Sequence, residues 1–125
     1  MCMGDSITHP PNFVAGGILG ASIFMLDLAL RPMLGQGFGE FLRFTLEGAA
    51  ALVIDNQLSE YGYNHDNRVK KTYGIKNILL SSLTIHFSDF ILRPQLVGGM
   101  GMEIAKFFIQ GNLVHFVIAN FADCS

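Results

Sequence analysis

The sequence has few charged residues and no tryptophan. Charged side chains make up 14% of the 125 residues and apolar ones 50%, whereas a soluble domain carries about 25% charged residues. The net charge is −2 and no basic stretch alternates with aromatic residues, which excludes nucleic-acid binding. Together with a mean hydropathy of +0.41, the shortage of charge indicates a membrane protein, with an unusually apolar soluble bundle as the alternative.

The sequence also lacks the residue sets that carry chemistry. Cys2 and Cys124, at its two ends, are the only cysteines, so they form neither a disulfide framework nor a set of metal ligands. His86 and His115 stand alone on apolar segments, with no second ligand at metal spacing. Since no nucleophile–base pair or dinucleotide-binding motif is present either, we expect no enzyme activity, no metal and no cofactor.

Four apolar segments follow one another along the chain, and each has about the length that a helix needs to cross a hydrocarbon core of about 30 Å. The segments are Phe13–Leu30, Phe38–Ile54, Ile75–Leu92 and Met102–Phe121. We expect Pro32 and Pro94 to stop the first and third helices, and glycine-rich turns to follow them. The sequence therefore predicts an all-α fold, an integral membrane four-helix bundle in a single domain.

The two halves of the chain resemble each other. The segment DLALRPMLGQGFG-EFLRFTLEG, from Asp27, recurs from Asp89 as DFILRPQLVGGMG-EIAKFFIQG, with Met102 as one extra residue before the second part. We interpret the halves as two tandem hairpins in a parallel repeat, both inserted in the same orientation because each holds two spans. The predicted boundaries are about 13–56 for repeat 1, 57–74 for the polar loop and 75–121 for repeat 2.

Each half carries the same charged residues at helical spacing. An acid and an arginine lie four residues apart before the turn, and an acid and a cation lie three apart after it. These residues are Asp27, Arg31, Glu40, Arg43, Asp89, Arg93, Glu103 and Lys106. A narrow polar stripe suits a membrane helix whose stripe faces protein, so we expect a charge network. With the second helix beside the fourth, Glu40 would reach Lys106. In the same arrangement Glu103 would reach Arg43.

The same residues leave two alternatives open. Arg31 and Arg93, close to the glycine-rich turns, could hold the phosphate of an anionic phospholipid. Glu47 has no assigned cation, and its counterpart in the second half is the neutral Gln110. We expect Glu47 to be protonated and to donate a hydrogen bond to Gln110 or to a backbone carbonyl. In the alternative, the protein is a membrane subunit that uses Glu47 to pass protons, ions or a solute through the membrane.

Small residues mark several helix faces. Gly16 and Gly20 form a small-xxx-small pair, and Gly48 and Gly111 occupy aligned positions in the second and fourth segments. Such faces allow close packing within the chain or against a partner. The sequence therefore predicts a small structural or accessory subunit packed within a larger multi-subunit membrane complex, with other membrane-protein subunits and phospholipid as partners. The favoured location is an organelle inner membrane, such as the mitochondrial one.

Overall fold

The computed structural model describes residues 13–34, 37–60, 72–96 and 98–122, except for the side chains of residues 59 and 60. Within these ranges the chain forms four α-helices and no strand. Helix α1 spans Phe13–Leu34, α2 spans Phe38–Glu60, α3 spans Ile75–Leu92 and α4 spans Met100–Phe121. The predicted all-α, four-helix architecture is confirmed. Cys2, Cys124 and most of the polar loop lie outside the described residues.

Three helix bounds differ from the prediction, and the smallest difference is at α4, which begins at Met100 instead of Met102. Pro32 lies inside α1 and does not stop it, because in the last turn the missing N–H of proline removes a single hydrogen bond. Helix α2 continues past its predicted end at Ile54 as far as Glu60. Asp55 and Asn56 therefore belong to a helix and are buried, where the sequence had placed the edge of the polar loop.

Glycines make the turns at the ends of both hairpins. Gly37, Gly98 and Gly99 have φ values of 68°, 121° and 96°, in the left-handed region that side chains with a Cβ rarely adopt. The alignment of the two halves pairs Gly37 with Gly99, and these two residues share that conformation. The internal repeat itself stays a prediction.

The helices form a ring in the order α1, α2, α3, α4. Helix α1 packs most extensively against α4 and α2 against α3, whereas α2 and α4 lie across the ring and touch each other little. The prediction that the second helix lies beside the fourth is therefore wrong. In a ring of four, each helix has two close neighbours, and those of α2 are α1 and α3.

Glycines allow close approach at both of the extensive helix–helix contacts. A Cβ added to Gly20 would lie 2.7 Å from a backbone carbonyl oxygen of α4, and Gly111 of α4 faces the backbone of Gly20 directly. Gly16 also faces α4. In the other pair, a Cβ on Gly48 would lie 2.6 Å from the Cα atom of Ser82. These four predicted packing glycines are thus buried and join helices within the chain.

Polar side chains are buried in this bundle and large apolar ones are exposed. Glu47 and Gln110 are 0% exposed, whereas Phe90 is 78% and Phe38 is 74% exposed. A soluble domain buries its large apolar side chains and rarely buries charged ones. The observed distribution is the one expected when hydrocarbon surrounds the helices and ionisable groups turn toward the bundle interior.

Three helices, α1, α3 and α4, are long and apolar enough to cross a membrane. Helix α2 falls outside this group because of its charged residues, yet Arg43, Glu47 and Asp55 are all buried inside the bundle. Its outer face carries large apolar side chains such as Phe41 and Leu46. The chain therefore has the features of a membrane protein, and its charges turn inward.

Candidate functional site, a buried charge network

The eight predicted charged residues meet at one end of the bundle. They come from the last turns of α1 and α3, the residue after α3 and the first turns of α2 and α4, which the two hairpins place together. All eight line one cavity of about 410 Å³, with the rings of Phe44 and Phe107 in its wall. We call these eight residues the charge network.

In the first half of the network, Asp27 is shared by two cations. Arg43 crosses from α2 to α1, where its Nε lies 2.9 Å from Asp27 Oδ1. Arg31, one turn after Asp27, pairs with the same carboxylate and also reaches Glu103 of α4 at 3.4 Å. These ion pairs connect three helices.

The second half repeats these contacts at the aligned positions. Lys106 of α4 places its Nζ 2.9 Å from Asp89 Oδ1 on α3. Arg93 pairs with Asp89 and reaches Glu40 of α2, with 3.2 Å between Nη2 and Oε2. In addition, Gln110 Nε2 donates to Asp89 Oδ1 at 3.3 Å. The network is thus two equivalent sets of contacts that together tie all four helices.

The expected cross-pairs between α2 and α4 do not form in the described part of the chain. Glu40 of α2 pairs with Arg93, beyond the end of α3, and with Arg43 of its own helix. Glu103 of α4 pairs with Arg31 of α1. Because α2 and α4 lie across the ring, their acids meet cations of the neighbouring helices instead.

The two arginines considered for lipid phosphate already have anionic partners. The Arg31 and Arg93 side chains are 41% and 52% exposed, and each contacts two carboxylates. Partial burial by itself lowers the pKa of Arg93, but the charges and hydrogen bonds of Asp89 and Glu40 raise it above its ordinary value. The four cations of the network face four carboxylates, so a phosphate would have to displace one of them. The geometry does not favour the anionic-lipid site.

Glu47 lies directly behind the network. It is completely buried, and the guanidinium of Arg43 is 4.0 Å away, from Nε to Oε2. Gln110, the hydrogen-bond partner predicted for Glu47, donates from Nε2 to Asp89, and its acceptor Oε1 has no hydrogen-bond partner among the described residues. Asp27 and Glu47 both lie beside the Nε of Arg43, at 2.9 Å and 4.0 Å.

A second buried polar pair lies toward the opposite end of the bundle and was missed from sequence. His115 Nδ1 of α4 lies 2.8 Å from Asp55 Oδ1 of α2, and both side chains are at most 3% exposed. From the sequence, His115 was predicted to stand alone on an apolar segment. A signal was present, since Asp55 follows Arg43 and Glu47 on one face of α2 at multiples of four residues.

Between these two polar sites, two serine hydroxyls of α3 form hydrogen bonds to α2. Ser81 Oγ of α3 donates to the carbonyl oxygen of Gly48 at 2.8 Å, and Ser82 Oγ donates to that of Thr45 at 3.4 Å. These interhelical bonds satisfy the serines without water. Polar groups therefore occur at several levels of the bundle interior, from the charge network to the Asp55–His115 pair.

Among the residues that the structure describes, no group of three or more His, Cys, Asp or Glu side chains is placed to hold a metal ion. No protein-family model, curated protein or solved structure matches the chain. The geometry of the bundle and its surface is therefore the basis for a functional proposal.

Proposed function

We propose that the protein is a small structural subunit of a larger membrane assembly, and that it docks a partner helix in a groove between α1 and α4. The observation that carries the proposal is an outward-facing pair of small residues, Gly17 and Ala21, in that groove. The charge network holds the four helices in the arrangement that leaves this groove open to a partner.

The docking groove is apolar and has a volume of about 200 Å³. Its lining residues are Gly17, Gly20, Ala21, Phe24, Ile104, Phe107 and Phe108. Although Gly16 and Gly20 are buried against α4, Gly17 is half-buried and Ala21 is exposed. The small-xxx-small motif of α1 therefore occurs in two registers, of which one packs inside the chain and the other faces outward.

A helix is the occupant that this groove suits best. Membrane helices associate through close packing at small residues, because lipid removes the hydrophobic drive for association that water provides. The aromatic rings of Phe24 and Phe108 beside the small residues add contact area for a partner. Elsewhere the outer surface carries many large side chains, such as Met25 and Phe87, which lipid chains can cover.

The charge network supports a structural role over transport of a charged solute. Its four cations and four carboxylates contact one another across all four helices, so they leave no net charge to attract an ion. Breaking such buried pairs is costly, which holds the bundle in one arrangement. Placement in an organelle inner membrane stays a prediction that cell fractionation tests.

Replacing Gly17 by leucine is expected to release the protein from its complex without unfolding it. The new side chain would fill the groove, while its Cβ would meet only the Phe108 ring, at 3.3 Å, which can rotate away. Gly101→Leu is the matched control, since it makes the same change on α4 where no atom lies within 4 Å. Native gel electrophoresis after mild detergent extraction measures the size of the particle.

On such a gel, the wild-type protein and Gly101→Leu should co-migrate with a large particle, and Gly17→Leu should run at its own size. Co-migration of Gly17→Leu with the large particle would show that the groove is not the docking surface. A wild-type protein that runs alone would contradict the subunit role itself.

A further inference from the structure

We propose that Glu47 and Asp27 form a proton-binding site, in which the two carboxyl groups share one proton that exchanges with water through the cavity of the charge network. This site goes beyond the structural role proposed above, because a subunit that only docks and holds its shape needs no titratable pair in its interior. The ligand of this site is a proton.

Charge balance leaves Glu47 without a counter-ion of its own. The groups that face it are Asp27 from α1, Arg43 from α2, and Asp89 from α3 with its partners Arg93, Lys106 and Gln110. Arg43 is closer to Asp27, at 2.9 Å, than to Glu47, at 4.0 Å. Arg31 pairs with Asp27 as well, but when Glu47 is added to the network its four cations face five carboxyl groups, and one proton balances the charge.

The hydrogen-bond partners of Glu47 and Asp27 also indicate that the two groups share one proton. Among the residues that the structure describes, neither oxygen of Glu47 has a hydrogen-bond partner, and Oδ1 of Asp27 has the ion pair with Arg43 but no hydrogen bond. A fully buried carboxylate without donors is strongly unfavourable. A proton on either group supplies an O–H that can donate to the other across the α1–α2 contact.

The second half of the bundle contains a hydrogen bond equivalent to the one that we assign to the shared proton. Gln110 occupies the position aligned with Glu47, and its amide Nε2 donates to Asp89 Oδ1 at 3.3 Å. Asp89 is the residue aligned with Asp27. The amide therefore makes permanently, in the second half, the bond that a protonated Glu47 makes to Asp27 in the first. Only the first half can lose its donor, because a carboxylic acid titrates and an amide does not.

The cavity gives the pair access to water. Asp27 and Arg43 line it, and Glu47 lies behind them. A volume of about 410 Å³ holds several water molecules, since each occupies about 30 Å³ in the liquid. A proton can thus pass from cavity water to Asp27 and from Asp27 to Glu47, and return by the same path.

Infrared spectroscopy of the purified full-length protein, in detergent and at neutral pH, tests the site. The wild-type protein should show the C=O stretching band of a protonated carboxylic acid. Glu47→Gln should lack this band and remain folded, because it places in the first half the amide that Gln110 supplies in the second. Glu103→Gln, which removes a carboxylate paired with Arg31 in the same cavity, should keep the band.

Transfer to D₂O tests the access route, and the band should shift as the shared proton exchanges. A band that does not shift would contradict exchange through the cavity, and a band that persists in Glu47→Gln would place the proton elsewhere. A wild-type spectrum without the band would overturn the shared-proton site altogether. The native-gel result is independent, since Glu47→Gln leaves the docking groove unchanged and should stay in the large particle.

Discussion

Replacing Gly111 by leucine is expected to prevent α1 from packing against α4 and so to unfold the bundle. A Cβ at this position would overlap backbone atoms of Gly16 and Gly20, which cannot rotate aside as a side chain does. Overpacking that neighbouring side chains can absorb costs about 1–3 kcal/mol. Because backbone is in the way here, and because this is the most extensive helix contact, we expect the loss to reach or exceed the upper end of that range.

The free energy of unfolding in mixed detergent, measured by titration with SDS, gives the size of this effect. Gly101→Leu again serves as the matched control, because it also places leucine on α4 but meets no neighbouring atom. It should unfold at the same SDS fraction as the wild-type protein. If Gly111→Leu also unfolded there, the close α1–α4 crossing described above would be wrong.

Replacing Arg43 by leucine is expected to destabilise the bundle by about 3–5 kcal/mol, the usual result of removing one partner from a buried ion pair. The Arg43 side chain is 8% exposed and that of Asp27 is 1% exposed, so the few water molecules of the cavity would be a poor replacement for the guanidinium. Among the residues that the structure describes, the loss would leave Asp27 with the half-exposed Arg31 as its ion-pair partner, and would remove the cation that lies 4.0 Å from Glu47. The same SDS titration measures the change.

Two further variants separate loss of the pair from loss of packing. Asp27→Asn combined with Arg43→Leu removes both charges and should recover part of the stability, since an uncompensated buried charge is worse than no pair. Arg31→Leu removes a cation that is 41% exposed and should cost no more than about 1 kcal/mol. Equal losses for Arg31→Leu and Arg43→Leu would show that burial does not set the strength of these contacts.

Local sequence patterns predicted much of the architecture. The third helix was predicted over Ile75–Leu92 and lies there, because a largely apolar segment runs between a preceding glycine and a following Arg-Pro. The aligned D-x-x-L-R-P segments also indicated that the charged residues gather at one end of the bundle, which they do. These features depend on spacing along one helix or across one short turn, which sequence alone determines.

Features that depend on which helices are neighbours could not be predicted from local sequence patterns. The partners assigned to Glu40 and Glu103 were wrong because the ring order of four similar helices does not follow from their spacing. The sequence also did not determine which glycines of α1 face the interior. Gly16 and Gly17 are adjacent, yet Gly16 is buried against α4 and Gly17 lines the outer groove.

By itself, then, the sequence determined four helices, their apolar character and a polar stripe on α2 and α4, because helical periodicity and side-chain hydropathy are properties of each segment. Only the tertiary structure decided that α2 and α4 stand across the ring from each other. The ring places Asp27 beside Arg43 and Asp89 beside Lys106 on neighbouring helices, and across its centre it brings Asp55 of α2 against His115 of α4. The physical reason is that ion pairs and close helix contacts depend on distances between segments far apart in the chain.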